Sequence, residues 1–190
     1  MEVKNILIVG VGGQGTLLAS KLMGKCFLQQ GFDVKVSEVH GMSQRGGSVV
    51  TYVRYGEKVY SPVIEKGEAD IIISFEQLES ARWLPWLKKD GVLISSTQEI
   101  DPMPVIMGKA EYPENILGKI EDKGVKLVCI DALEKALEAG TAKCANIVLL
   151  GAAARFLGTD RDMWLEIIKS TVPPKTVETN LKAFDLGFNG

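Results

Sequence analysis

Six residues near the start of the chain, Gly10-Val11-Gly12-Gly13-Gln14-Gly15, have the make-up of an anion cradle. Glycines at 10, 12 and 15 allow a tight turn, close approach of a phosphate to backbone N–H groups, and close packing of a following helix. Gln14 and Thr16 are candidate side-chain donors at the same place. A second polar run follows, Val39-His40-Gly41-Met42-Ser43-Gln44-Arg45-Gly46-Gly47, and reads as a functional loop. His40 is the only histidine, a side chain that titrates near neutrality, and loop ordering or ligand contact is favoured for it over nucleophilic catalysis. Arg45 lies between Gln44 and the Gly46-Gly47 pair, where a flexible backbone could bring its guanidinium to a carboxylate or phosphate in bidentate geometry. Ser43 and Glu38 are close along the chain but complete no nucleophile–histidine–carboxylate set, so no residue is given a catalytic role.

These residues need a scaffold that aims them. The apolar run 6–9 precedes the first motif and the helix-like run 16–23 follows it, the strand–turn–helix context that gives such a loop meaning. Strand-like runs at residues 4–9, 34–39, 49–53, 71–75, 92–95 and 126–130 alternate, imperfectly, with helical segments. The expected fold is α/β, a Rossmann-like doubly wound and largely parallel sheet with helices on both faces and a helical C-terminal segment. Ligands in such sheets sit beyond the carboxyl ends of the strands, so both motifs should face one crevice. Residues 59–66 could add a strand or hairpin arm, and residues 100–113 read as an irregular connection with a short strand around Val105. Helices are expected at 132–139, 142–157 and 160–170, with a last one from about Thr176 after Pro173-Pro174. Trp83 and Trp86 fall three positions apart on one helix, near its end at Pro85, with core packing as the first expectation.

One reading of these residues is a dinucleotide site. Ala19 suits the first helix, and Glu38 ends the next strand where a carboxylate could bind a ribose hydroxyl. The Gly-rich segment directly after Glu38 does not belong to that pattern.

The first motif together with Ser37-Glu38-Val39-His40-Gly41-Met42-Ser43-Gln44-Arg45-Gly46-Gly47-Ser48 resembles the gamma-type domain of the 2-oxoacid:ferredoxin oxidoreductases. The closest likeness is to the small subunit of the members acting on indolepyruvate. Residues 172–187, which open Val172-Pro173-Pro174-Lys175, look like the same family's C-terminal signature, and the resemblance extends over nearly all of residues 1–190 as one gamma-type domain.

That resemblance implies oxidative decarboxylation of an aryl pyruvate to an acyl-CoA and carbon dioxide, with electrons passed to ferredoxin. It also implies a large (alpha) partner subunit that carries thiamine diphosphate and iron–sulfur clusters. In the family the gamma-type domain packs against the thiamine-binding portion. The glycine loop and the His40 to Gly47 segment are then the candidates for contact with coenzyme A or the edge of the active site. The sequence agrees with that division: it has no Gly-Asp-Gly thiamine diphosphate motif, and its three scattered cysteines fall short of the four or so thiolates a cluster takes. No cofactor is expected on this chain alone. A stand-alone NAD(P)-binding oxidoreductase and a ligand-free structural adaptor remain beside this reading.

Composition narrows the partners. At 190 residues, with ordinary apolar and charged fractions, one folded domain is expected. A net charge of −2 and no basic run give no reason to expect nucleic acid or an anionic membrane surface. Cys26, Cys129 and Cys144 form no Cys-x-x-Cys pair and have no second histidine to complete a zinc set, so no metal site is expected. Met1 to Asn5 pass straight into a strand without a leader-like pattern, and the apolar run 145–154 is far short of the roughly 20 residues a spanning helix needs. The expected location is the cytoplasm.

Overall fold

The computed structural model describes residues 2–40 and 47–190, His40 by its backbone alone. Strand β1 (Lys4–Val11) leads into helix α1 (Thr16–Gln29), which returns the chain to β2 (Asp33–His40) and then β3 (Ser48–Gly56). After β4 (Ala69–Ser74) come α2 (Gln77–Trp83), β5 (Leu87–Ser96), the single turn α3 (Met103–Ile106), α4 (Ile116–Glu121) and β6 (Lys126–Ile130). The C-terminal part is helical: α5 (Ala132–Ala139), α6 (Ala145–Leu157), α7 (Arg161–Thr171) and α8 (Val177–Phe188).

The six strands form one sheet in the order β2-β3-β1-β4-β5-β6. β1, β4, β5 and β6 are parallel neighbours, whereas β3 lies between β1 and β2 and is antiparallel to both. The reversal follows from the connection: only residues 41–47 join β2 to β3, too few for the crossover that a parallel return requires. The sheet is thus mostly parallel, as expected, with one inserted reversed strand.

β1 shows why both faces are covered. Ile6 and Ile8 enter a core with Leu22, Phe27, Leu149, Trp164 and Phe184, while Leu7 and Val9 enter a second core with Ile72, Leu93, Ile116 and Ile120. Successive side chains of a strand point to opposite faces, so an unbroken apolar run needs a layer on each side. Helices α1 and α5–α8 supply the first layer, α2 and α4 the second.

Three local expectations are corrected. Residues 59–66 form no strand; their polar backbone groups are instead held by side chains, with Arg54 Nη1 donating to the Ser61 and Val63 carbonyls (both 2.9 Å) and Val59 N to Asp33 Oδ2 (2.9 Å). Around Val105 the chain makes one helical turn rather than a strand, because Pro102 and Pro104 occupy first-turn positions where a missing N–H costs nothing. Trp83 and Trp86 do not share a helix: α2 ends at Trp83, and Trp86 lies in a 3₁₀ turn that holds Pro85. Their rings still meet, with centroids 4.6 Å apart, and both pack half-buried against the second core. Among the described residues no helix is long and apolar enough to cross a membrane.

Candidate functional site

The glycine loop runs from the end of β1 to the first turn of α1, at the carboxyl end of the parallel strands. Gly15 caps α1 with φ of 86°, a left-handed conformation that disfavours any residue with a Cβ. Gly10 is required for a different reason: a Cβ there would lie 2.9 Å from the Phe75 Cβ and 2.7 Å from Gln14 Oε1. The second motif reaches the first at one described contact, where Gly12 N donates to the Gly47 carbonyl at 3.0 Å. Val11 and Ser48 are register partners next to it. Ser43, Gln44, Arg45 and Gly46 lie outside the described residues, and His40 is placed only as the β2 residue opposite Val49.

Gln14 does not stand free as a donor. Its Oε1 accepts from Val11 N (2.7 Å), and its Nε2 donates to the Phe75 carbonyl (3.0 Å) and to Gln98 Oε1 (3.2 Å). All of its amide hydrogens are used within the fold, so it shapes the loop. Asn146, buried at the start of α6, supports the same loop by donating to the Gly15 carbonyl at 3.2 Å. Among the described residues the N–H groups of Gly13, Gly15, Thr16 and Leu17 have no acceptor, which is the arrangement of a helix N-terminus ready for an anion.

The loop has a crevice on each flank. The larger, about 440 Å³, is walled by Gly13, Phe75, Gln98, Leu133, Lys143 and Leu149, at the ends of β4 and β5 and the starts of α5 and α6. The smaller, about 350 Å³, lies between α1 and β2 and is lined by Gly12, Thr16, Leu17, Glu38 and Val49. Thr16 is buried there, and the Glu38 carboxylate accepts from the Thr51 hydroxyl at 3.0 Å. Because β3 separates β2 from β1, the strand order departs from that of a dinucleotide-binding sheet, in which the strand bearing the ribose acid neighbours β1.

Behind the loops two buried carboxylates brace the site. Glu76 caps α2 and accepts from Glu79 N (2.9 Å), Ile100 N (3.2 Å) and the Tyr112 hydroxyl. Burial, and then the hydrogen bond to Glu76, push the Tyr112 hydroxyl well above the usual phenol range, so it stays a donor. Glu79 takes the Ser48 hydroxyl on one oxygen and Arg82 Nε on the other at 3.0 Å, which ties the start of β3 to α2.

The cysteines do not suit an iron–sulfur cluster. Burial pushes the Cys26 thiol up to about 11 and raises Cys129 and Cys144 as well, which opposes the thiolate form that ligates iron. Among the described residues no three His, Cys, Asp or Glu side chains are grouped to hold a metal.

The sequence profile described as pyruvate ferredoxin/flavodoxin oxidoreductase matches residues 5–190. The chain belongs to that family. Two curated relatives, both named indolepyruvate oxidoreductase subunit IorB, from Thermococcus kodakarensis and Pyrococcus horikoshii, are 45% identical over 98% of this chain and 95% of their own length. Among solved structures, the gamma subunit of the keto/oxoacid ferredoxin oxidoreductase of Geobacter sulfurreducens superposes with a TM-score of 0.73 at 25% identity, covering 98% of this chain and 96% of that one. The resemblance read from the two motifs holds: this is a gamma-type subunit of the family. Phe75, Gln98, Lys143 and Asn146 went unnoticed in the sequence. For Phe75 and Gln98 a signal existed, because they follow β4 and β5 at the same carboxyl edge as the loop; for Lys143 and Asn146 there was none.

Proposed function

We propose that this chain is the small, non-autonomous subunit of a ferredoxin-dependent 2-oxoacid oxidoreductase that converts aryl pyruvates, indolepyruvate foremost, to acyl-CoA. Thiamine diphosphate and iron–sulfur clusters belong to a large partner subunit, ferredoxin receives the electrons through the complex, and the complex works in the cytoplasm. The observation that carries this reading is the 45% identity, over almost the full length of both chains, to subunits named for indolepyruvate. The glycine loop, with Gly10, Gly12, Gly13, Gly15 and Thr16, faces coenzyme A or the edge of the active site. His40, Ser43, Gln44, Arg45, Gly46 and Gly47 are proposed for the same edge. Gln14 serves by holding the loop in shape.

The substrate is tested with the anaerobic two-subunit complex and a panel of indolepyruvate, phenylpyruvate, pyruvate and 2-oxoglutarate, reading viologen reduction. The expected result is the highest kcat/KM for an aryl pyruvate. A preference for pyruvate or 2-oxoglutarate would move the chain to another branch of the family.

A further inference from the structure

A separate cavity lies at the edge of the sheet opposite the glycine loop, at the amino ends of the parallel strands. Its floor is a cross-strand row: Ile6 of β1 pairs with Ile71 of β4, and Ile71 with Val92 of β5. Tyr55, the register partner of Lys4, continues that floor onto β3. Phe156 and Leu157, the last residues of α6, form the facing wall. The space is about 210 Å³. An apolar cavity of about 150 Å³ is large enough to take up benzene, so a single aromatic ring fits here.

Tyr55 gives the cavity one polar point. The residue is only 6% exposed, yet among the described residues its hydroxyl has no hydrogen-bond partner. Its ring is held in place, stacked on Phe27 with centroids 3.7 Å apart and tilted against Phe32 at 5.5 Å. Burial, and then the Asp70 charge, push the hydroxyl up to about 12, so it keeps its proton and can donate as well as accept. A buried hydroxyl without a partner costs the fold free energy that a ligand's polar group can recover. The charges at the mouth are already matched. Asp70 lies 3.7 Å from Lys4 and 3.6 Å from Lys88, and accepts from Asn5 N at 2.9 Å.

We propose that this cavity binds a small neutral aromatic molecule carrying one hydroxyl or N–H group. Ile6, Ile71 and Phe156 supply the contact for its ring, and the Tyr55 hydroxyl takes its polar group. The site uses none of the residues in the functional reading above and stands or falls independently of it.

The test is methyl NMR of this chain, labelled at isoleucine, leucine and valine, alone and in the two-subunit complex, titrated with phenol, toluene and benzoate. Phenol and toluene are expected to give saturable shifts at Ile6, Ile71, Val92 and Leu157, and benzoate none, because its charge meets no unpaired cation. Tyr55→Phe should weaken phenol binding about fivefold, the scale of one neutral hydrogen bond, and leave toluene binding unchanged. The same variant should melt no lower than the wild type, since no hydrogen bond within the protein is lost. Phe156→Ala, at a half-exposed wall position, should weaken both ligands. The proposal is overturned by a wild type without saturable shifts at these methyls, by benzoate binding as tightly as phenol, or by Tyr55→Phe affecting phenol and toluene alike. Binding by the chain alone that disappears in the complex would also overturn it, because the large subunit would then cover the cavity.

Discussion

Gln14 donates from Nε2 to the Phe75 carbonyl at 3.0 Å, fastening the loop that follows β1 to the end of β4, its parallel neighbour. The same amide accepts Val11 N–H at 2.7 Å, so one side chain bridges two strand ends. Gln14→Ala leaves a partly buried N–H and a carbonyl without partners, at a cost of about 2 kcal/mol. The expected fall in Tm is about 4–8 °C for a chain of this size. A wild-type melting curve for the variant would show that the bridge does not stabilise the loop.

Helices α6 and α8 cross at a pair of glycines. A Cβ at Gly187 would lie 1.9 Å from the Val148 carbonyl oxygen, and one at Gly151 2.1 Å from the Phe184 carbonyl oxygen. Gly187→Ala must force the helices apart, and the expected loss is about 3 kcal/mol in urea unfolding, at the upper end of overpacking costs. Gly124→Asn, where a side chain meets open space and Asn tolerates the positive φ, is the matched control and should lose far less.

Tyr112 connects the segment after β5 to the start of α2, giving its hydroxyl proton to Glu76 and accepting from Leu78 N at 3.2 Å. Tyr112→Phe removes both bonds and leaves the buried Glu76 with one donor fewer. About 2 kcal/mol should be lost. Hydrogen exchange should quicken at residues 100–112 and at the start of α2 while α6 and α8 keep their protection; uniform quickening would mean that Tyr112 is a general core residue instead.

The three thiols should react in a fixed order. Cys129 is exposed on the edge strand β6, whereas Cys26 and Cys144 are buried. Because all three are raised, each is less ionised at pH 8 than a free cysteine, and thiolate is the reactive form. Mass spectrometry after alkylation at pH 8 should find Cys129 modified first and slowly, with Cys26 and Cys144 modified only after unfolding. Rapid labelling of Cys26 in the native chain would contradict its placement under α7, where its Sγ meets Met163 Sδ at 3.8 Å.

What could be read from sequence depended on how local the cause was. The strand–loop–helix around Gly10 to Gly15 and helix α5 follow from apolar runs and punctuating glycines, so both limits of α5 and the starts of β1 and α1 were legible, while β1 runs on to Val11 and α1 to Gln29, beyond the runs read at 4–9 and 16–23. The insertion of β3 between β2 and β1 was not, because strand pairing is set by distant partners and an apolar run looks the same in either direction. Residues 59–66 looked like a strand because the Arg54 and Asp33 side chains that replace a ladder leave no periodic mark. At the site, a glutamine beside a glycine loop reads equally as ligand donor or as staple. Only the contact of Gln14 with Phe75 and Gln98, far along the chain, distinguishes them.

The most direct test of the account is to co-express this chain with its large subunit, purify anaerobically, and measure indolepyruvate-dependent viologen reduction with and without this chain and coenzyme A. The account predicts a brown complex whose activity needs both subunits and coenzyme A, and a colourless, inactive small chain alone. A large subunit that turns over at the same rate without this chain, or a lone chain that oxidises a substrate with NAD(P)⁺, would contradict it.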